Sequence, residues 1–535
     1  MRRFPLWLAA LTIRLHAYRR ILLLTTYLLL LGAALFARLT YARLAEFPGH
    51  ADEAFYYTVA ENLADGRGFV IDYVWHYLAP PRTITHPSND YWLPLASVLM
   101  SLPMRVLGKS VFAALLPGVV AGLALSLVLY GWSRRYTSST LVAVGAASLM
   151  LFEPQLFAAS LTTETLVYFA LLASCGFWFM NGGLTNPRLF LLAALCAGLG
   201  HLTRPDGVVL LLALWVVIWL SPHPRATKLT YALLSPLLYL TVLSPWLILN
   251  YHTLGFPVPP GALKIMFAAE YEDRYAYAKD LSLRAYLRSG LANIVRSKVE
   301  AAGWNLKTLL YLGELLWIPA AVGILESLTR RQHRDRLQIY LPALVFLGLL
   351  FAVHTVMPFS FALANSAVAI VPFLVLVSAD TIRRHIRSTA LAVLVLALLG
   401  AHQYAKAFPL AGTSIALNNA VGQQLEPLKR LVAEDSGRAP GGEIVIMTRI
   451  PWEVHLSTRY KAVQIPNDDL PTILAVARRY GANYLLLPAE REALRGLYEG
   501  TVSDRRFTFV AAFPYADPSL GPHTHVKLFR IAPPD

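Results

Sequence analysis

Cysteine is nearly absent from this 535-residue chain, which has two, Cys175 and Cys196. Both lie inside apolar runs, far from polar clusters, so a disulfide framework and a Cys-type zinc site are excluded. Charge is also scarce. Asp, Glu, Lys and Arg make up 15% of the residues, against about a quarter in a soluble domain. Acids are the scarcer sign, 32 against 47 Lys and Arg, for a net charge of +15. The sequence also lacks a phosphate-binding Gly loop, a metal-spaced His/Cys set, an internal repeat and a low-complexity tract.

What is present is apolar. Hydrophobic residues are 56% of the chain and the mean hydropathy is +0.50, which reads as an integral membrane protein. Crossing the hydrocarbon takes about 20 apolar residues. Runs of that kind lie near 20–40, 112–132, 140–160, 164–180, 189–203, 207–220, 229–249, 307–325, 338–354, 362–379 and 389–404, about eleven transmembrane helices. No small-residue cleavage site follows the first run, so it is expected to stay as a span. The basic clusters at 14–20, 133–135, 186–188, 224–228, 329–336 and 383–387 fall on every second connection. The positive-inside rule explains this excess of Lys and Arg without nucleic acid. It puts the N-terminus in the cytoplasm and the C-terminal region outside, in a cell (plasma or inner) membrane.

The other connections are then extracytoplasmic, and two are long, about 41–111 and 250–306. The apolar segment 91–108 in the first would flip every later loop if it spanned. It is expected instead as a helix along the outer interface, with Tyr91 and Trp92 at that level. The expected domains are a transmembrane unit over 1–404, a linker over 405–442 and a small soluble α/β domain over 443–535. In the last, 443–449, 483–488, 506–513 and 525–531 read as strands. The stretch 468–481 reads as an Asp-capped helix ending at Gly, and 490–500 as a second helix.

Polar groups gather at the outer ends of the spans. In ADEAFYYTVAENLADGRG, Asp52 could simply cap a short helix. Yet Glu53, Tyr56 and Tyr57 add polar groups on the same turn, and a carboxylate beside tyrosines suits a general base for a hydroxyl acceptor. In TITHPSNDYW, His86 precedes a proline and is biased to extended backbone. Glu164 in SLTTETL falls between two spans, either a cavity acid or part of a Thr-capped helix start. Arg204 in LTRPDG could meet a phosphate with its guanidinium fork, or pair with Asp206 in a turn. Trp246, Asn250, His252 and Lys264 mark the start of the second long loop, where a lysine is either a phosphate ligand or an interfacial anchor.

These stretches, "ADEAFYY…LADGRGF", "THPSNDYW", "LTTETL", "LTRPDG" and "PWLILNYHTLGFP", resemble in order and position the GT-C superfamily of membrane glycosyltransferases. The nearest likeness is to its protein-O-mannosyltransferase and lipid-A-aminoarabinose-transferase branch, over about 20–260. The resemblance implies a mainly α-helical polytopic membrane protein with a small C-terminal extracytoplasmic domain. Asp52 and Glu53 would be its catalytic acidic pair, with Asp52 the base. His86, Arg204 and Lys264 would hold the donor phosphate or lipid, and Tyr56, Tyr57, Glu164 and His252 would line the cavity. Two positions depart from the pattern: Phe55 stands where some relatives have Arg, and 360–373 has no Arg-Tyr pair.

The reaction so implied moves a hexosyl or pentosyl group from a polyprenyl-phosphate-linked donor to a lipid, glycan or protein acceptor, with inversion. Asp52 and Glu164 are two acids that could share a divalent metal, Mg or Mn. A transporter or flippase of lipid-linked sugars would show broken helix pairs or repeats and mid-span charges. A membrane-anchored binding or assembly protein would rest on the 443–531 domain, where no chemistry is evident.

Overall fold

A computed structural model describes residues 6–137, 139–268, 270–357, 363–437, 443–488, 491–515 and 525–532. The chain is mainly helical. Among the described residues, eight helices are long and apolar enough to cross a membrane: Tyr18–Leu44, Val111–Thr137, Leu166–Gly183, Arg225–Leu254, Leu291–Thr329, Arg331–Val356, Leu363–His385 and Thr389–Ser436. The first carries Leu22, Leu28, Leu29 and Phe36 exposed along its length, as lipid contact requires. Leu363–His385 lies in the middle, with Val371–Ile382 buried throughout.

Shorter apolar helices stand where the sequence suggested spans: Thr140–Leu151, Leu189–His201 and Gly207–Leu220. At about 1.5 Å per residue none reaches the roughly 30 Å of the hydrocarbon by itself. The run 140–160 is broken by its own chemistry. Glu153 accepts the Leu156 N–H at 2.8 Å, Pro154 follows at the first helical position, and a new helix Pro154–Ala159 starts there. Leu95–Leu107 is the short apolar helix expected at the interface.

Of the stretch 405–442, expected as a linker, residues 405–436 continue a helix, and 438–442 lie outside the described residues. Thr389–Ser436 runs 48 residues despite Pro409 and Pro427, about 72 Å at the helical rise. It is long enough to cross a bilayer and carry on beyond it.

Among the described residues, eight short strands fall into two sheets. Strands β1 (Val70–Ile71) and β3 (His86–Pro87) pair antiparallel. The larger sheet has the order β2-β5-β4-β6-β8-β7, with β2 (Tyr73–Val74), β4 (Val445–Thr448), β5 (Lys461–Gln464), β6 (Tyr484–Leu487), β7 (Phe507–Pro514) and β8 (His525–Ile531). The first four are parallel, and β8 and β7 close the sheet antiparallel. The sequence reading missed β5 and the helix Pro451–Thr458. It also missed that β2 is lent by the first long loop, some 390 residues away in sequence. Leu470–Tyr480 is capped as expected: Asp469 accepts the Thr472 N–H at 3.0 Å, and Gly481 closes the helix at φ 66°. Of the expected helix over 490–500, residue 490 is outside the described residues. The rest forms one 3-10 turn and the short helix Arg495–Glu499.

Candidate active site

Asp52 is the first residue of the helix Asp52–Ala64, but it is not the cap. The cap position is Ala51, at φ 46° and ψ −103°, left-handed backbone that costs a non-glycine residue about 1–3 kcal/mol. Glu53, not Asp52, turns back on the helix entry: its Oε2 accepts the His50 N–H at 3.2 Å and the Asn418 side-chain amide at 3.1 Å. Gly49 is required there, since a Cβ at that position would fall 1.6 Å from Glu53 Oε2. Glu53 is therefore buried and committed to the scaffold. Asp52 is left half-buried, its environment set by burial and by the charges of Arg274, Arg204 and His50.

Glu164 stands opposite, in the turn between Pro154–Ala159 and Leu166–Gly183. It too is half-buried. Burial, and next the charge of Asp52, push its carboxyl up to about 7, with Arg204 opposing. Burial pushes Asp52 up as well, against the pull of Arg274, Arg204 and His50. The structure thus brings together two half-exposed acids and two guanidinium groups.

Arg204 is on the tight turn between Leu189–His201 and Gly207–Leu220. Its Nε donates to Ser366 Oγ at 3.2 Å and its Nη1 to Thr165 Oγ1 at 3.3 Å. The turn pairing with Asp206 is long, 3.8 Å. Asp206 is instead satisfied by His354 Nε2 at 2.8 Å and by the Ser366 hydroxyl. The hydrogen bonds that hold Arg204 go to neutral hydroxyls, and its charge acts on Asp206, Asp52 and Glu164.

Arg274 was not singled out from the sequence. It lies in the 3-10 turn Tyr271–Tyr275 of the second long loop. Its guanidinium sits 4.1 Å from the Tyr271 ring centroid and 6.0 Å from that of Tyr275, and its carbonyl accepts the Tyr77 N–H at 2.8 Å. The tyrosines flanking it in YEDRY were the available signal, because an arginine between two aromatic faces is held by cation–π contact.

The remaining sequence candidates divide. Tyr56 is buried, and Asp52, Arg204, Glu164 and Tyr91 all act on it electrostatically. Tyr57 belongs to a different cluster: it bonds Glu61, which is paired with Arg459 at 2.8 and 3.1 Å. His86 is engaged by the backbone: its ring nitrogens lie 3.1 Å from the Tyr73 carbonyl and 3.0 Å from that of Pro87, with Asp90 at 3.6 Å. Lys264 and His252 are exposed, at the ends of Pro260–Lys264 and near the end of Arg225–Leu254. An aromatic wall adjoins the acids. Trp75 and Trp92 stack at 5.9 Å, and Tyr91 meets Trp92 edge-on at 4.6 Å.

For a divalent cation the donor set is short. Among the described residues no group of three or more His, Cys, Asp or Glu is placed to hold one. Arg204 acts on both acids and Arg274 on Asp52, and their charge repels a cation. The residues present do not fit a protein-held metal.

A family profile, dolichyl-phosphate-mannose-protein mannosyltransferase, matches residues 85–249, which include His86, Glu164 and Arg204. No curated protein sequence is significantly similar to the chain. Among solved structures, ArnT from Cupriavidus metallidurans bound to undecaprenyl phosphate is 14% identical. It superposes over 94% of this chain and 97% of its own, with a TM-score of 0.57. The oligosaccharyltransferase of Archaeoglobus fulgidus in its apo form is 12% identical over 87% of this chain and 70% of its own, with a TM-score of 0.55. AglB from the same organism, in complex with an inhibitory peptide and a dolichol-phosphate, is 10% identical over 86% and 70%, with a TM-score of 0.50. At these identities the likeness is one of fold.

Proposed function

We propose that this chain, a multi-pass GT-C membrane glycosyltransferase of the ArnT-like branch, moves a hexosyl or pentosyl group from a polyprenyl-phosphate-linked donor to an acceptor at the outer face of a cell membrane. The observation that carries the reading is the company of Asp52: a partly buried carboxylate on which two guanidinium groups act and which itself acts on a second acid. A base and a preformed site for negative charge are the two things such a transfer needs.

In the proposed reaction Asp52 takes the proton from the acceptor nucleophile as that atom attacks the anomeric carbon. The bond from carbon to phosphate oxygen breaks, and the phosphate leaves with the electron pair. Arg204 and Arg274 meet the charge growing on it, and Arg274 takes the role that the sequence reading gave to His86 and Lys264. One displacement with a good leaving group inverts the anomeric centre. Tyr56, Tyr91 and Trp92 would flank the sugar, since aromatic faces suit its apolar side. The two similar structures that hold undecaprenyl phosphate and a dolichol-phosphate support a lipid phosphate as the donor's carrier. The N-terminus is proposed inside and the sheet region outside. No step is routed through a metal.

The test is sugar transfer by purified wild type and Asp52→Asn from a panel of polyprenyl-phosphate sugars. Wild type is expected to consume at least one donor, and Asp52→Asn to lose about 10²–10⁴-fold while keeping its melting temperature. Full activity in Asp52→Asn would remove Asp52 as the base.

A further inference from the structure

The sheet region carries no chemistry of its own, yet it touches both loops that bring charge to the site. From the helix Pro451–Thr458, Glu453 reaches the entry of the Asp52 helix. It is fully buried; its Oε1 accepts the Ala51 N–H at 2.9 Å and contacts His50 Nδ1. Ala51 is the left-handed residue immediately before Asp52. A conformation of that kind persists only where its surroundings over-determine it, and Glu453 is the partner that fixes its amide.

The second loop is held in the same manner. Glu272, two residues before Arg274, receives Arg449 through both guanidinium nitrogens at 3.2 Å and Arg491 at 2.8 Å. Arg491 is buried and also donates to Asn467 Oδ1 at 3.0 Å. The Asn467 N–H donates to the Tyr275 carbonyl at 2.9 Å, and Asp468 accepts the Tyr277 N–H at 2.6 Å. Bidentate, partly desolvated pairs give directional hold as well as energy. A scaffold built only for solubility would not need buried charges aimed at two loops about 220 residues apart.

We propose that Glu453 and Glu272 are positioning residues, and that the sheet region is the frame that sets the distance between the base Asp52 and the cation Arg274. The inference rests on the reading of Asp52 and Arg274 given above. Glu453 would act on the base, and therefore on kcat. Glu272 would act on the cation that meets the donor phosphate, and therefore on donor KM.

The test uses the full chain in detergent or nanodiscs, with variants Glu453→Leu, Glu453→Gln and Glu272→Gln. Glu453→Leu is expected to lower kcat about 10²-fold, the cost of misplacing a reacting group by about 1 Å, with donor KM within about threefold. Glu453→Gln keeps an acceptor oxygen for Ala51 and is expected to recover most of that loss. Glu272→Gln is expected to raise donor KM and leave kcat near wild type. Combined with Asp52→Asn, Glu453→Leu should cost nothing more, because the two act through one group. Hydrogen exchange reads the same claim without turnover: Glu453→Leu should expose the Ala51 amide and Glu272→Gln the 271–278 backbone, with the bundle unchanged. Unchanged exchange at both loops, or kcat losses that multiply in the double variant, would overturn the frame. Loop-specific exchange with no sugar transfer by wild type would instead keep the frame's geometry and sink the catalytic reading on which its role rests.

Discussion

The hydroxyl of Thr163 donates to the main-chain carbonyl of Glu53 at 2.7 Å. Thr163 precedes Glu164 and Glu53 follows Asp52, so this one bond ties together the two segments that carry the half-exposed acids. Thr163 is fully buried, and no water can replace the bond at low cost. Thr163→Val keeps the shape and removes the donor. It is expected to cost about 1 kcal/mol of stability, or up to about 3 if the Glu53 carbonyl is left unsatisfied, and to lower kcat. Thr162→Val, which loses a local bond to the Ala159 carbonyl at 3.1 Å, serves as the comparison. Equal losses in the two variants would show that the tie between segments has no special weight.

The two acids also couple in their titration. Burial and then the Asp52 charge push Glu164 up to about 7 from an ordinary 4.5. Asp52 is pushed up by burial, against the pull of Arg274, Arg204 and His50, and it is its charge that acts on Glu164. A base works only when ionised, so kcat/KM should rise with pH through the Asp52 titration. Glu164 gains its charge after Asp52, so Glu164→Gln is expected to leave the acid limb in place. Stability follows the opposite course. Between about 4.5 and about 7 the folded protein keeps a proton that the unfolded chain has released, so stability falls as pH rises across that window. Glu164→Gln should flatten that part of the melting-temperature profile. An acid limb moved to lower pH in Glu164→Gln would show instead that Glu164 is ionised while Asp52 titrates.

Much of this was legible in the sequence, for reasons that the structure makes plain. Asp52, Glu164 and Arg204 stood out because charge at a span end is costly unless used. His86 was drawn by its neighbours in sequence, and only the fold shows Tyr73 and Pro87 carbonyls on its ring. Glu53 looked like half of an acidic pair. The bonds that make it a scaffold group come from Asn418 and Thr163, far away in the chain, which no local pattern reports. Arg274 was hidden in a loop without periodicity. Strand β2 is two residues long and borrowed by a distant sheet, below what alternation can reveal. The helix Thr389–Ser436 read as a span plus a linker because its apolar composition stops before its backbone hydrogen bonding does.

Arg38 provides a separate test of the bundle beneath the site. It lies within the first long helix, yet it is buried. Its Nε donates to Ser160 Oγ at 2.9 Å and its Nη2 to the Leu151 carbonyl at 3.0 Å, with the guanidinium 4.4 Å from the Phe157 ring centroid. It thereby closes the break between Thr140–Leu151 and Pro154–Ala159 and supports the turn that carries Glu164. Arg38→Met is expected to cost about 1–3 kcal/mol through the orphaned carbonyl and to reduce turnover. Arg38→Lys should not restore either property, because a single ammonium cannot reproduce the planar fork. Full recovery in the lysine variant would reduce the role of Arg38 to charge alone.

Metal removal is the last prediction, and it follows from the donor set. Asp52 and Glu164 supply two carboxylates, and Arg204 and Arg274 set two fixed positive charges around them. A divalent cation would have to displace that arrangement while lacking a third acidic or histidine ligand among the described residues. In the proposed reaction the two guanidinium groups do what a cation does for a leaving phosphate. Chelation followed by dialysis is therefore expected to leave sugar transfer within about twofold of the untreated enzyme, and added Mg or Mn to restore nothing. The same treatment discriminates the two roles at the site. If chelation abolished transfer and metal restored it, Asp52 would be a ligand rather than a free base, and the positive charge of Arg274 would have to be turned away from it in the active state.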